Sequence, residues 1–260
     1  MKTSRIVLAC SAALVLALAA LVWFMPARLA LPLLQSRLHG LRFEQVAGTI
    51  WQGQAGQVSM VGGSTLGSAA WTLSRRALIG DIQLGVELRQ PQLQLHGQMH
   101  RLSPTEDEWQ DVTLHVDMAM LGVQPWLHGQ PQGTLDLQIA QAQLQGNWPM
   151  QVDATGHWSQ AVVRTTQGTF PLGTFRLSIH GQSGVLQAAL DDDGSGPVQT
   201  AGRLSFSPLG WDLRVNLKPR HSAPAFLRWL HTLGTPEPDG SVRLRYRVGL
   251  AQFNSPTGNP

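Results

Sequence analysis

His96 and His100 stand four residues apart in a run that alternates polar and apolar residues, so both imidazoles project from one strand face, where they could supply two ligands to zinc. No carboxylate or third ligand stands beside them at metal spacing and the chain has no HExxH, so the pair reads as two solvent-facing side chains. Asp191, Asp192, Asp193 and Gly194 open like a calcium loop, but the later ligands and the closing glutamate are missing; an acidic hairpin turn accounts for them better. Gly62-Gly63-Ser64 and Gly194-Ser195-Gly196 do not meet the GxSxG spacing of a nucleophile elbow. Lys2 and Lys218 are the only lysines, and neither follows a phosphate-binding loop. These residues describe a non-enzyme without cofactor or metal.

What remains is binding chemistry. Arg243, Arg245 and Arg247 alternate with Leu244, Tyr246 and Val248, which directs three guanidinium groups to one side of a final strand. Two readings stand: a solvated edge strand whose charge discourages aggregation, or a docking surface for an acidic partner or lipid headgroups. The sequence pI of 9.7 suggests nucleic acid, but the position of the charge argues against it. Lys2, Arg5, Arg28, Arg37 and Arg42 all precede the first acid, Glu44; removing those five from the 19 bases leaves 14 against 16 acids. No basic stripe with interleaved aromatics is left for RNA or DNA.

The elements that would position these residues are strands. Every second residue is apolar in Ile82–Leu88, Val112–Met120, Phe175–Ile179, Trp211–Leu217 and Val242–Val248, and the pattern of Leu135, Leu137 and Ile139 slips by one to Ala140, Ala142 and Leu144, as at a bulge or a break between strands. Gly and Pro clusters punctuate the runs, and Asp239-Gly240 marks a turn into the last one. The expectation is an all-β, mostly antiparallel protein of roughly nine to twelve strands. Its outward positions are neutral and polar, as in Gln92, Gln94, His96 and Gln98, which fits a curved groove, a sandwich or a barrel alike. One short helix near the C-terminus is expected from an N-cap at Ser222 through Phe226, Leu230 and Leu233 to Gly234, covering one end of the sheet.

Ahead of the strands, Ile6 to Met25 is an uninterrupted apolar run of 20 residues, and at about 1.5 Å per residue it spans roughly 30 Å, the thickness of a bilayer core. With Lys2 and Arg5 before it and Trp23 near its end, the run predicts a single-pass transmembrane helix, residues 1–5 in the cytoplasm and the bulk of the chain across the membrane. The competing reading is a signal peptide cleaved near Ala17-Leu18-Ala19, but hydrophobicity continues through Phe24. Cys10, the only cysteine, reads as a small apolar residue in lipid, so no disulfide is available downstream. Residues 26–42 are then a juxtamembrane connector on the membrane surface, a short helix or two broken turns with Leu29, Leu33 and Leu38 on one side and Pro32 interrupting, 43–253 the β domain, and 254–260 a flexible tail.

Nine tryptophans against one tyrosine read as core packing with indole N–H groups satisfied at sheet edges. At Gly48, Thr49, Ile50, Trp51, Gln52 and Gly53 the two glycines bracket what reads as a strand, with Thr49 and Trp51 on one face and Trp51 as its core anchor. This GT-hydrophobic-W-x-G element, following a membrane span and the Pro26-Ala27 connector, resembles the N protein family of the bacterial type II (general) secretion pathway, GspN. Gly202-Arg203-Leu204-Ser205-Phe206 and a helix ending in Leu233-Gly234 ahead of Asp239-Gly240 extend the likeness over essentially the whole chain. The resemblance implies a periplasm-facing component of the bacterial inner membrane that assists export of folded proteins, with the secretin and the inner-membrane platform proteins as partners and no catalytic residues. An anchor followed by a long amphipathic sheet is also similar to AsmA-like proteins, which implies the alternative of a lipid-binding or lipid-transfer groove.

Overall fold

The computed structural model describes residues 23–34, 40–60, 65–221 and 223–249. Among these, fourteen strands form two compact units that meet in sequence at Gln90 and Pro91, and every strand pair within each unit is antiparallel.

The first unit is a four-stranded meander: β1 (Leu41–Gly48), β2 (Gln52–Met60), β3 (Thr65–Leu73) and β4 (Gln83–Gln90), preceded by helix α1 (Ala27–Leu34). Its buried centre is small, Ala55, Val58 and Ala69, with Phe43, Val46, Leu66, Trp71 and Leu88 packed against it. Alanines and glycines in β2 and β3 let neighbouring backbones and rings approach closely, and the same residues blur the two-residue alternation on which strand counting depends. Helix α1 buries Ala27 and Ala30 and leaves Leu29 exposed, so its inward face is the small-residue one. It runs through Pro32 to Leu34 without the hydrogen bond that the proline nitrogen cannot donate, so of the short helix and the two broken turns expected here the structure has the short helix.

The second unit has ten strands in the order β5-β6-β7-β8-β9-β10-β11-β12-β14-β13. They are β5 (Leu93–Ser103), β6 (Glu106–Asp117), β7 (Gln130–Gln145), β8 (Trp148–Thr165), β9 (Gly168–Gln182), β10 (Val185–Asp192), β11 (Val198–Ser207), β12 (Gly210–Pro219), β13 (Thr235–Pro236) and β14 (Val242–Gly249). The register shift between Ile139 and Gln141 lies where the alternation slips in sequence. Helix α2 (Pro224–Leu233) lies over the C-terminal part, burying Phe226, Trp229, Leu230 and Leu233 against Val163, Phe170, Leu172, Val198, Leu217 and Val242. Its N-cap is Ala223, without a side-chain capping bond; Ser222, expected in that role, lies outside the described residues.

Fourteen strands exceed the nine to twelve expected. The excess comes from the small-residue strands of the first unit and from two-residue β13, which no periodicity can reveal. In neither unit do the first and last strands pair among the described residues, so neither closes into a barrel, and neither stacks two sheets as a sandwich would. The apolar run 6–25 lies outside the described residues except for Trp23, Phe24 and Met25, and among the described residues no helix is long and apolar enough to cross a membrane.

Candidate functional site

Two clusters of interaction residues stand out, one in each unit. In the first, Gly48 ends β1, Thr49, Ile50 and Trp51 form the hairpin connection, and Gln52 and Gly53 open β2, so the motif is a hairpin and not the single strand expected from sequence. Gly48 takes φ +86°, a left-handed conformation that turns the chain out of the ladder. The Thr49 N–H donates to Gln52 O at 2.8 Å, and the Thr49 hydroxyl accepts the Gln52 N–H at 3.2 Å. Gly53 leaves room for the indole of Trp71, which a Cβ there would overlap, and Trp71 Nε1–H donates to Ile50 O at 3.2 Å. The hairpin tip also holds neighbouring elements: Leu73 N–H donates to Trp51 O at 2.7 Å, Ile50 N–H donates to Met25 O at 3.1 Å, and Thr49 bridges Pro26. Trp51 is buried, as its role of core anchor requires, but in a turn.

The motif therefore joins the segment leaving the apolar run to three strands. Gly53→Ala is expected to destabilise the first unit by about 1–3 kcal/mol through overpacking against Trp71. Denaturant unfolding of Gly53→Ala, Trp71→Leu and the double variant checks this, since Gly53→Ala should cost less when Trp71 is already leucine.

In the second unit, cross-strand register assembles an arginine face. Arg203 on β11 lies opposite Arg214 on β12, which lies opposite Arg245 on β14. The flanking rows add Arg243 opposite Asn216, Arg247 opposite Asp212, and Arg176 on β9 opposite Asp191 on β10. Six arginines thus share three adjacent rows with two aspartates. Ala189, Ala201 and Gly202 leave a shallow depression among Arg203, Arg214 and Arg245. Asp212, with a side chain only 5% exposed, accepts from Arg214 at 2.6 Å and Arg247 at 3.0 Å, with Arg245 4.0 Å away; Arg243 pairs with Glu237 at 3.3 Å. β14 is covered on its outer edge only at Val242 and Arg243, by β13, so it is an edge strand for most of its length.

The family model for type II secretion system protein N matches residues 39–245 of the 260. The chain belongs to the type II secretion system protein N family. No curated protein and no solved structure matches it. The protein N family is a secretion accessory component and not a known enzyme family, and membership associates the chain with the cell envelope and with other type II secretion components.

The protein N match takes in the whole motif hairpin together with Arg176, Arg203, Arg214, Arg243 and Arg245, and stops short of Arg247. The sequence pattern singled out Arg243, Arg245 and Arg247 because they alternate within one strand; Arg176, Arg203 and Arg214 were missed because only pairing with β14 and β10 brings them alongside. The histidines are not assembled into a site: His96 lies opposite Thr113 and His100 opposite Glu108. In the acidic turn, Asp192 accepts from Thr200 N at 2.7 Å and from Arg220 at 2.6 Å, and Asp193 accepts from Ser195, so these carboxylates stitch the β10–β11 connection.

Burial pushes the Asp212 carboxyl pKa up, but the hydrogen bonds and charges of Arg214 and Arg247 outweigh it, and the net shift is downward from the ordinary 3.8. A folded-state pKa below the unfolded one contributes stability that is complete above the ordinary value and lost as pH falls through the folded value. The arginine face is accordingly expected to loosen on acidification below about pH 4. Thermal unfolding of wild type and Asp212→Asn from neutral to acidic pH checks the sign: the variant should be less stable at neutral pH, and the gap should narrow in acid.

Proposed function

We propose that this protein N is an inner-membrane component, held by Ile6–Met25 with both β units in the periplasm, that assists export of folded proteins by docking an acidic surface of another secretion component on its arginine face. The observation that carries this reading is the row Arg203, Arg214 and Arg245. Like charges directly opposite across a sheet destabilise it, and the single Asp212 carboxylate of the flanking row, which pairs with Arg214 and Arg247 and lies 4.0 Å from Arg245, offsets only part of that charge. A row of cations retained at such a cost becomes favourable when an acidic partner covers it, and Arg suits bidentate pairing with carboxylates. The secretin and the inner-membrane platform proteins are the proposed partners.

The test is Arg203→Glu/Arg245→Glu in the full-length chain. Co-purification with the secretin or platform should be lost, secretion should fall with it, and wild-type association should weaken with salt as exposed charge pairs do. Unchanged co-purification and secretion by a folded double variant would sink the docking surface. Topology is tested separately by a reporter fused after Pro260, expected to be active only in the periplasm.

A second reading, an AsmA-like lipid-binding module, is favoured by one observation. Leu95, Leu114 and Leu137 lie opposite one another on β5, β6 and β7 and remain only half-buried, so an apolar row is partly open. Stoichiometric phospholipid in native mass spectra of the detergent-extracted chain, with normal secretion in a deletion strain, would favour lipid handling over secretion.

A further inference from the structure

The connection between β3 and β4 holds apolar side chains out to solvent on a rigid frame. Residues Arg75–Ile79 form a 3₁₀ turn that buries none of its side chains. Its shape is nevertheless fixed at both ends. The Ser74 hydroxyl accepts the Arg76 N–H at 3.2 Å, and Gly80, at φ +95°, donates its N–H to Ala77 O at 3.2 Å. Leu78 is exposed and Ile79 is 83% exposed. Leu78 and Ile79 are thus adjacent aliphatic side chains held out by a capped turn, and their meaning depends on what lies beside them.

The position of the turn says what covers it. β1 and β3 end, and β2 and β4 begin, at the same end of the four-stranded sheet; this end carries the motif hairpin and the Arg75–Ile79 turn, whereas Met60 lies at the other. Met25 is hydrogen-bonded to the motif hairpin there, and the Arg75 guanidinium lies over the Trp23 ring, 4.2 Å from its centroid. Trp23 and Phe24, the latter 71% exposed, immediately precede Met25, the last residue of the apolar run. Arg75 and Arg76 are both exposed, and Asp81, 3.8 Å from Arg76, is the nearby acid. The patch thus combines a tryptophan, three aliphatic or aromatic tips and two arginines beside the point where the chain enters the apolar run.

We infer that this end of the first unit seats on the bilayer surface, with Leu78 and Ile79 entering the headgroup–acyl boundary and Arg75 and Arg76 at lipid phosphates, giving the folded unit a membrane contact of its own beside the anchor. The inference rests on the reading of Ile6–Met25 as a membrane span. Interfacial tryptophan, apolar tips at shallow depth and arginines at phosphate level are the chemistry of a membrane face. The seat fixes the orientation of the sheet: the motif hairpin is membrane-proximal and the Met60 end points away.

The test uses the full-length chain carrying Cys10→Ala and one new thiol, Ile79→Cys or Met60→Cys, labelled with an environment-sensitive fluorophore and reconstituted into phosphatidylethanolamine–phosphatidylglycerol vesicles. Both variants should float with the vesicles. The label at 79 should shift to the blue and be quenched by lipid carrying a shallow doxyl group, while the label at 60 should show neither change. Flotation with a label at 79 as unquenched as that at 60 would overturn the seat and leave the anchor standing. Failure of both variants to float would overturn the anchor, and the seat with it.

Discussion

Trp51→Ala is expected to lower the unfolding free energy of the first unit by about 3–5 kcal/mol, the range for removing a fully buried tryptophan. Trp51 is 5% exposed, so its truncation removes a side chain that is almost wholly withdrawn from water. The cost also spreads along the backbone. The carbonyls of Ile50 and Trp51 accept bonds from Trp71 and Leu73, and the N–H of Ile50 holds Met25. A tip without its indole loosens the connection between the segment after the apolar run and the sheet. Denaturant unfolding measures the effect, and Trp51→Phe should avoid much of the loss because it keeps an aromatic ring. Wild-type stability of Trp51→Ala together with lost secretion would reassign Trp51 from packing to a partner surface.

Trp229→Ala should cost the second unit a comparable amount, about 3–5 kcal/mol. The indole is 2% exposed, stacks on Phe170 at 5.0 Å and 18°, and touches Phe226 at 5.8 Å. Its Nε1–H donates to Leu127 O at 3.2 Å across 102 residues of sequence, so truncation strips a buried carbonyl of its partner as well. The α2 helix is the only cover of its kind over this part of the sheet among the described residues, and its ten residues are too few to be stable without packing. Loss of helical signal should therefore accompany the loss of stability. The exposed neighbour Arg228→Ala should stay within about 0.5 kcal/mol of wild type. Equal effects at 228 and 229 would show that α2 does not depend on this aromatic stack.

The arginine face shows where sequence reading reaches and where it stops. Arg243, Arg245 and Arg247 were legible because side chains two apart in a strand share a face, a property of one segment alone. Arg203 and Arg214 lie 42 and 31 residues before Arg245, and nothing local distinguishes them from solvated strand positions. Register alone makes them neighbours, since a one-residue slip of β12 against β14 would turn Arg214 to the opposite face. The motif hairpin is the converse case. Gly48, Thr49, Trp51 and Gly53 were recognisable as a set, yet their alternation suggested a strand because a tight hairpin tip of four residues also places successive side chains on different sides. The positive φ of Gly48 and the indole across Gly53 separate the two, and both are tertiary facts.

The β class, an irregularity near Ile139, the C-terminal helix, the family and the run whose length matches a bilayer were legible in the sequence, because each is written in local periodicity, composition or a short motif; that the irregularity is a bulge within one strand is a matter of pairing. Tertiary structure alone decided that the strands form two open antiparallel units, that Ala27 and Ala30 rather than Leu29 face inward, that six arginines share one face, and that Trp23 meets Arg75. Pairing and packing are set by the free energy of whole sheets, in which residues distant in sequence become neighbours, and no window of sequence contains both partners.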